Sequence, residues 1–184
     1  HRKEMIHQDL KPENIIINSQ GTVKIIDFGS TKVAGVEEIS TPIHRLNLLG
    51  TQLYTAPEYL LGQPASYHSD AFSLGIITYE MLTGNVPFTE KYGEKSLNKL
   101  TYMSALDIDS SIPLWVDGAI RKIVKKNPAN RYEEISEYIY DLSHPNKAFT
   151  DAAQTPLIER NPLGFWRGLA LLSLAANIII LLIK

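Results

Sequence analysis

Residues 6–14 of this 184-residue chain have the sequence I-H-Q-D-L-K-P-E-N, and residues 27–29 have the sequence D-F-G. These two short stretches bring together two carboxylates, a lysine and a carboxamide. Transfer of a phosphoryl group needs such a set: a carboxylate to accept a hydroxyl proton, a carboxylate and an amide oxygen to hold Mg²⁺, and a cation to offset developing charge. The four side chains concerned are Asp9, Lys11, Asn14 and Asp27.

An apolar hairpin is predicted between the two stretches. Residues 14–17 and 22–26 are rich in β-branched side chains, and the N-S-Q-G sequence at 18–21 supplies turn residues that end in glycine. Such a hairpin places Asn14 and Asp27 at neighbouring strand ends, where both side chains can reach one metal ion. Carboxylate and amide oxygens favour Mg²⁺ over a transition metal.

The two stretches resemble the protein kinases, whose catalytic loop has the pattern H-R-D-x-x-x-x-N and is followed by D-F-G. The resemblance implies that Asp9 is the catalytic base and that Lys11 contacts the transferring phosphate. It also implies that Asn14 and Asp27 hold Mg²⁺, and that ATP is the phosphoryl donor. The chain departs from the family pattern at Gln8, where the family usually has arginine.

The segment from Gly29 to Thr55 is long, irregular and rich in hydroxyl groups, which is typical of a functional loop. By resemblance it is the activation segment. Its end, residues 50–58, has the sequence G-T-Q-L-Y-T-A-P-E and resembles the G-T-x-x-Y-x-A-P-E pattern of the serine/threonine kinases. This resemblance implies a catalytic contribution from Thr51, through hydrogen bonds to Asp9 and Lys11.

Gln8 has a predictable consequence for regulation. In many kinases the arginine at this place pairs with a phosphate on the activation segment and orders that segment through charge-assisted hydrogen bonds. Glutamine carries no charge and cannot make such a pair. We therefore expect activity not to depend on phosphorylation of the activation segment.

Most of the remaining chain is predicted to be helical. A helix from Tyr67 to Gly84 is apolar on every face, as in a buried central helix, and Ser69 or a neighbour can cap its start. A second helix is predicted from Pro113 to Lys126, because its apolar residues form one stripe. Other predicted helical segments are a stretch around Ser96–Ala105 and a last helix with its stripe on Ile135, Tyr138, Ile139 and Leu142. Residues His1–Met5 are predicted to be the end of a helix or its exit turn.

Two further residues take roles from the family resemblance. Asp70 begins a pattern similar to D-x-W-S-x-G, which implies that its carboxylate accepts backbone N–H groups of the catalytic loop. The alternative is an aspartate favoured by the dipole at a helix start. Residues 127–132, N-P-A-N-R-Y, resemble D-P-x-x-R, which implies a buried pair between Arg131 and Glu58. The alternative there is a surface arginine.

Composition limits the possible classes of protein. The chain has no cysteine, which excludes a disulfide scaffold and a thiolate zinc site. Its net charge of −2 gives no support for nucleic-acid binding.

The chain opens on His1 and contains no G-x-G-x-x-G, the loop that holds ATP phosphates in the kinase N-terminal lobe. We therefore expect a C-terminal piece of a longer protein, with the N-terminal lobe encoded upstream and the fragment alone inactive.

The C-terminal end differs in composition from the rest. Residues 146–163 are polar and contain prolines, which predicts a linker after a lobe spanning residues 1–145. Residues 164–184 are apolar on every face and uncharged from 168 to 183, which predicts a single transmembrane helix; the alternative is a buried core helix. Arginines precede the span, so the lobe is predicted to be cytoplasmic. This end resembles bacterial serine/threonine kinases of the inner membrane, including those fused to a phosphatase domain.

The sequence therefore predicts a mainly α fold with a small β-hairpin: a protein-kinase-like C-terminal lobe plus a C-terminal transmembrane helix. The implied function is transfer of the ATP γ-phosphoryl group to hydroxyls of a protein substrate. One alternative is a membrane-anchored pseudokinase that acts as a scaffold, because the strand lysine that an active kinase needs belongs to the N-terminal lobe and is not part of this sequence. A small-molecule kinase of similar fold is the other alternative, and the pattern at residues 50–58 makes it the weaker one.

Overall fold

The computed structural model describes residues 5–33, 53–88, 100–154 and 162–183. The contacts divide the chain into two compact units, His1–Pro145 and Asn146–Lys184. Within the described part of the first unit, helices predominate and the strands form two small antiparallel pairs. This architecture confirms the prediction of a helix-rich fold with a small β component.

The predicted hairpin is present. Strands β2 (Ile15–Ile17) and β3 (Val23–Ile25) pair antiparallel, with the first residue of β2 opposite the last residue of β3. In the turn, the side-chain oxygen of Asn18 accepts the backbone N–H of Thr22 at 2.8 Å. Gly21 has a φ of 78°, a conformation that glycine adopts at little cost. The turn sequence therefore fixes the register that brings Asn14 beside the end of β3.

A second strand pair was not predicted. Strand β1 (Met5–Ile6) pairs antiparallel with β4 (Lys32–Val33). The prediction that residues 1–5 form the end of a helix or its exit turn is wrong at Met5, which lies in β1; residues 1–4 lie outside the described residues. A strand of two residues is too short to show a periodic pattern, so only its distant partner defines it.

Four helices are described in the first unit, and the central one positions the site. They are α1 (Pro57–Leu60), α2 (Tyr67–Thr83), α3 (Leu114–Ile123) and α4 (Ile135–Ser143). The backbone N–H of Ser66 donates to the Ser69 hydroxyl at 3.2 Å at the start of α2, and Gly84, with a φ of 69°, ends it. Residues on all sides of α2 are buried, as its apolar sequence predicts.

Helix α2 packs closely against α3 at a glycine. A Cβ atom added to Gly75 would lie 2.8 Å from Cγ1 of Val124 and would also clash with Ile123. Only a residue without a side chain allows this approach of the two helices. The core nearby consists of buried apolar and aromatic side chains: Phe72, Ile76, Tyr79, Ala105, Ala119 and Ile120.

The segment between α2 and α3 differs from its prediction. Within the described residues, 100–104 are not helical, and Tyr102 forms an isolated antiparallel bridge with Phe88. A short 3-10 turn, Ala105–Asp107, follows. The helical prediction is therefore wrong for residues 100–104, because the backbone of Tyr102 pairs with Phe88 instead of continuing a helix. The first part of the predicted stretch, residues 96–99, lies outside the described residues. The predicted stripe of α4 is also imperfect, since Ile139 is 56% exposed.

The second unit contains two described helices, α5 (Lys147–Gln154) and α6 (Pro162–Ile183). Helix α5 lies within the segment predicted as a linker. Its start is stabilised by Asn146, whose side-chain oxygen accepts the backbone N–H of Ala148 at 3.0 Å. Among the helices whose residues the structure describes, none combines the length and hydropathy that a membrane crossing requires.

Candidate active site

Three of the predicted site residues form one cluster. The Lys11 ammonium contacts the Asp9 carboxylate, with Nζ 2.9 Å from Oδ2. The Asn14 amide nitrogen donates to the Asp9 backbone carbonyl at 2.8 Å and to the same Oδ2 at 3.3 Å. The Asp9 and Lys11 side chains are each 19% exposed. The Asp9 carboxylate is therefore held by two donors and remains accessible at a surface.

A short 3-10 turn, Pro12–Asn14, shapes the cluster. Proline suits the first position of such a turn because it has no N–H to satisfy there. The backbone N–H of Asn14 donates to the Lys11 carbonyl at 3.0 Å, and the Asn14 carbonyl accepts from the Ile26 N–H at 2.9 Å. Asn14 is buried and thus connects the first stretch to the strand that leads into Asp27.

Asp27 has an unusual backbone conformation for a non-glycine residue. Its φ is 60° and its ψ is 64°, in the left-handed region that aspartate tolerates better than most residues. The carboxylate accepts the backbone N–H of Gly29 at 3.4 Å, a long hydrogen bond. A Cβ atom on Gly29 would lie only 3.2 Å from the same carboxylate oxygen. Because Asp27 is exposed, its carboxylate is accessible to a ligand.

His7 joins the two stretches, a role that the sequence analysis did not assign. Its imidazole Nε2 lies 3.1 Å from the Ile26 carbonyl, and its ring meets the Phe28 ring edge-on at 5.2 Å between centroids. His7 is buried. The sequence offered one indication of this role: His7 follows the apolar Ile6 at the start of the first stretch. A polar side chain that is buried at such a place must find a hydrogen-bond partner.

Asp70 supports the loop that carries Asp9, as predicted. Its carboxylate accepts the backbone N–H of His7 at 2.7 Å and that of Gln8 at 2.9 Å. Gln8 has a φ of 68°, a strained conformation for glutamine that these hydrogen bonds compensate. Burial raises the pKa of Asp70 above its usual range, while the two N–H donors act in the opposite direction. Asp70 also lies in the first turn of α2, so the favourable interaction with the helix dipole accompanies its role as an acceptor of the loop N–H groups.

The predicted pair between Glu58 and Arg131 is present and buried. Two parallel hydrogen bonds of 2.7 Å join the guanidinium to the carboxylate, and the Arg131 and Glu58 side chains are 0% and 3% exposed. The remaining guanidinium donors reach backbone carbonyls, including that of Lys125 at 2.7 Å. The Ser69 hydroxyl donates to Glu58 at 2.9 Å. With its groups satisfied, the pair fixes the start of α1 against the α3–α4 connection.

The residues immediately before α1 are fixed to α2. The Tyr54 hydroxyl donates to the Glu80 carboxylate at 2.6 Å, and the Ser73 hydroxyl donates to the Tyr54 carbonyl at 2.7 Å. Burial, followed by the Glu80 contact, raises the pKa of Tyr54. The phenol therefore stays protonated and keeps donating across the physiological range of pH.

Asn14 and Asp27 fit the requirements of a hard cation. The Asn14 amide nitrogen faces Asp9, so its carboxamide oxygen points away from that carboxylate, and Asp27 offers exposed carboxylate oxygens. Oxygen ligands of this kind suit Mg²⁺, which usually takes few protein ligands and completes its shell with phosphate and water. Within the described ranges, no group of three or more His, Cys, Asp or Glu side chains forms a metal site of another type.

The structure thus brings together Asp9, Lys11 and Asn14 and connects them through Ile26 to Asp27. Thr51, the fifth predicted site residue, lies outside the described residues. Its role remains a prediction.

The chain is similar to a known protein family and to known proteins. Residues 1–142 match the model described as "Protein kinase domain". A probable serine/threonine-protein kinase of Clostridium perfringens is 36% identical over 150 residues, which are 80% of this chain and 22% of that protein. Serine/threonine-protein kinase PrkC of Bacillus subtilis is 34% identical over 148 residues, 77% of this chain and 22% of its own length.

A solved structure is similar as well. The twitchin kinase region of C. elegans superposes with a TM-score of 0.61 at 27% sequence identity, covering 78% of this chain and 26% of that one. The chain therefore spans about a quarter of the length of each of these proteins.

Proposed function

This chain belongs to the protein kinase domain family, and from that premise we propose that the gene product containing it transfers the γ-phosphoryl group of ATP to serine and threonine hydroxyls of proteins. The observation that supports this proposal most directly is the cluster of Asp9, Lys11 and Asn14, which the hairpin connects to Asp27. Serine/threonine kinases among the relatives support the same acceptor chemistry.

Asp9 is the proposed proton acceptor. A substrate hydroxyl that hydrogen-bonds its carboxylate is oriented toward the γ-phosphorus, and its proton passes to Asp9 as the new O–P bond forms and ADP leaves. The Lys11 ammonium, 2.9 Å from Asp9, is placed to stabilise negative charge on the transferring phosphoryl group. Thr51 is proposed to hydrogen-bond this pair.

ATP and Mg²⁺ are the proposed cofactors, with Asn14 and Asp27 as the protein ligands of the metal. When bound, Mg²⁺ neutralises charge on the phosphate oxygens. The chain's own contribution is to hold the two oxygen ligands at adjoining backbone positions, since the Asn14 carbonyl accepts the N–H of Ile26, the residue before Asp27. Removing either side chain should weaken nucleotide binding in the presence of Mg²⁺.

An ATP assay on the gene product that contains this chain tests the proposal. We expect incorporation of radiolabelled phosphate into a protein substrate to fall by about three orders of magnitude in Asp9→Asn, because the proton acceptor is lost. Asp109→Asn, which changes an exposed carboxylate elsewhere, should leave the rate unchanged. Equal incorporation by the wild type and Asp9→Asn would instead favour the alternative of a scaffold without turnover.

An N-terminal lobe encoded upstream is part of the proposal. Apolar side chains of the hairpin and the D-F-G stretch support it, because they are exposed beside the site: Ile16, Ile17, Val23, Ile25, Ile26 and Phe28. Exposed apolar surface of this kind is typical of an interface. Determining the coding sequence upstream of His1 tests this part, and finding no glycine-rich loop or strand lysine there would contradict it.

Membrane attachment through residues 164–184, with the lobe in the cytoplasm of a bacterium, is a separate proposal. Its support is the uncharged sequence from 168 to 183 and the arginine that precedes it. Sedimentation of the gene product with membranes after alkaline extraction is the expected result. Recovery in the supernatant would contradict it. A fusion with a phosphatase domain is likewise a separate proposal. The coding sequence upstream of His1 tests it.

A further inference from the structure

An open cavity of about 660 Å³ lies between the end of α3 and the segment around the Phe88–Tyr102 bridge, and its lining includes none of the candidate active-site residues. Its floor is apolar and aromatic, with Phe88, Leu100 and Val124 buried. Three cations and one carboxylate line it, namely Arg121, Lys125, Lys126 and Asp107. A cationic excess on a chain of net charge −2 indicates a local preference for anions.

The walls of the cavity are held in place. Asp117 of α3 is buried and accepts hydrogen bonds from the Tyr102 hydroxyl at 2.8 Å and from the Ala105 N–H at 2.7 Å. These two bonds hold the segment around Tyr102 against α3. Arg121 bridges the same two elements, with its guanidinium 3.0 Å from Asp117 and 5.2 Å above the Tyr102 ring. These contacts hold Tyr102 and the end of α3 in place relative to each other without a ligand.

The lysine side of the cavity is fixed by the buried ion pair described above. Arg131 donates to the backbone carbonyls of Lys125 at 2.7 Å and Lys126 at 3.2 Å. These contacts use the backbone, so the loop keeps its place when the two lysine side chains are changed. Both lysine residues are exposed at the cavity rim.

We propose that this cavity is a docking site for a phosphorylated peptide segment of a partner protein. The phosphate would lie against Lys125 and Lys126, and apolar side chains of the peptide would pack on Phe88 and Tyr102. An open cavity of this volume accommodates several residues, and a phosphate dianion matches a rim of lysine and arginine donors better than a carboxylate does. None of the lining residues belongs to the candidate active site, so we expect peptide binding to persist in Asp9→Asn.

Fluorescence anisotropy with a labelled phosphothreonine peptide of about ten residues, containing two apolar side chains, tests the proposal on the gene product. We expect saturable binding that weakens about tenfold in Lys125→Glu/Lys126→Glu. The matched control is Lys24→Glu on exposed β3, outside the cavity, which should bind as the wild type does. Unchanged thermal unfolding of the double variant establishes that the fold is intact.

Asp107→Asn provides a test in the opposite direction. Removing the one carboxylate of the lining should tighten peptide binding by roughly two- to fivefold. The unphosphorylated peptide should bind at least about tenfold more weakly than the phosphorylated one. Equal affinity of the two peptides, equal loss in Lys24→Glu, or complete displacement by inorganic phosphate at a concentration equal to that of the peptide would overturn the proposal.

Discussion

Asp70 determines the conformation of the loop that carries the proposed catalytic base. Its two carboxylate oxygens accept the N–H groups of His7 and Gln8, and Gln8 has a left-handed backbone. A non-glycine residue in that region costs about 1–3 kcal/mol and persists only where the surroundings compensate. The carboxylate is therefore a positioning group, because it acts on Asp9 through the backbone.

Replacing Asp70 by asparagine tests this role. An amide offers one acceptor oxygen instead of two, so one buried N–H is left without a partner, at a cost of about 1–3 kcal/mol. We expect a lower unfolding midpoint in urea and a lower kcat with little change in KM for ATP. Asp109→Asn should change neither quantity. A full rate in Asp70→Asn would show that Gln8 keeps its conformation without the carboxylate.

Arg131 contributes through geometry as much as through charge. Its planar guanidinium makes two hydrogen bonds to Glu58 and two more to backbone carbonyls of the α3–α4 connection, which a lysine ammonium cannot reproduce.

Arg131→Lys is therefore expected to lower the free energy of unfolding by about 2–4 kcal/mol, measured by chemical denaturation. Arg121→Lys is the matched control, because Arg121 is half-exposed and makes a single bond of 3.0 Å to Asp117; its loss should be below about 1 kcal/mol. Similar losses in the two variants would mean that the buried geometry contributes nothing.

Among individual residues, the contacts predicted for Asp70 and for the Glu58–Arg131 pair from their motif positions are confirmed, whereas residues held by distant packing were not predicted. No sequence pattern marks Asp117 as a buried residue, although it is 1% exposed and joins two segments. A single aspartate on a predicted helix resembles a surface residue, and only the approach of Tyr102 makes it a buried acceptor.

The contact of α2 with α3 depends on the absence of a side chain at Gly75. The two helices approach so closely that a Cβ atom there would overlap side chains of Ile123 and Val124. Glycine inside a helix costs roughly 0.5–1 kcal/mol relative to alanine, so its presence here is a packing requirement.

Gly75→Ala should accordingly destabilise the protein by about 1–3 kcal/mol despite the better helix propensity of alanine. Thermal unfolding followed by circular dichroism measures the change. The comparison is Gly168→Ala in α6, where nothing lies within 4 Å of the added atom and no loss is expected. An increase in stability for Gly75→Ala would mean that the helices separate easily.

Local patterns predicted the elements that are long or bounded by turn residues. The hairpin has β-branched strands and an Asn-to-Gly turn, and α2 has a cap and a terminal glycine, so both were found. The pairing of β1 with β4 and the bridge between Tyr102 and Phe88 join residues that are distant in the sequence, so no local pattern predicts them. Helix α5 was missed because its start depends on an Asn146 cap within a polar segment.

For the molecule as a whole, the neutral side chain of Gln8 is the basis of a regulatory prediction. Its amide nitrogen is buried without a hydrogen-bond partner within the described residues, and no charge is available there to pair with a phosphate. Activity should therefore be independent of phosphorylation in the segment between Gly29 and Gly50.

Replacing every serine and threonine in that segment by alanine should leave the rate of phosphate incorporation by the gene product within a few fold of the wild type. The residues concerned are Ser30, Thr31, Ser40 and Thr41. Unfolding of the variant is followed in parallel, since Thr31 is buried. A decrease of several orders of magnitude with an intact fold would refute this prediction.

The two donors around Asp9 distinguish between its carboxylate oxygens. Lys11 and Asn14 both approach Oδ2, which leaves the other oxygen as the one to receive an alcohol. An asparagine in this place would turn its carbonyl toward the two donors and present its NH₂ group to the alcohol. The isosteric variant would therefore offer a hydrogen where a lone pair is required, so its failure would reflect orientation as well as lost charge.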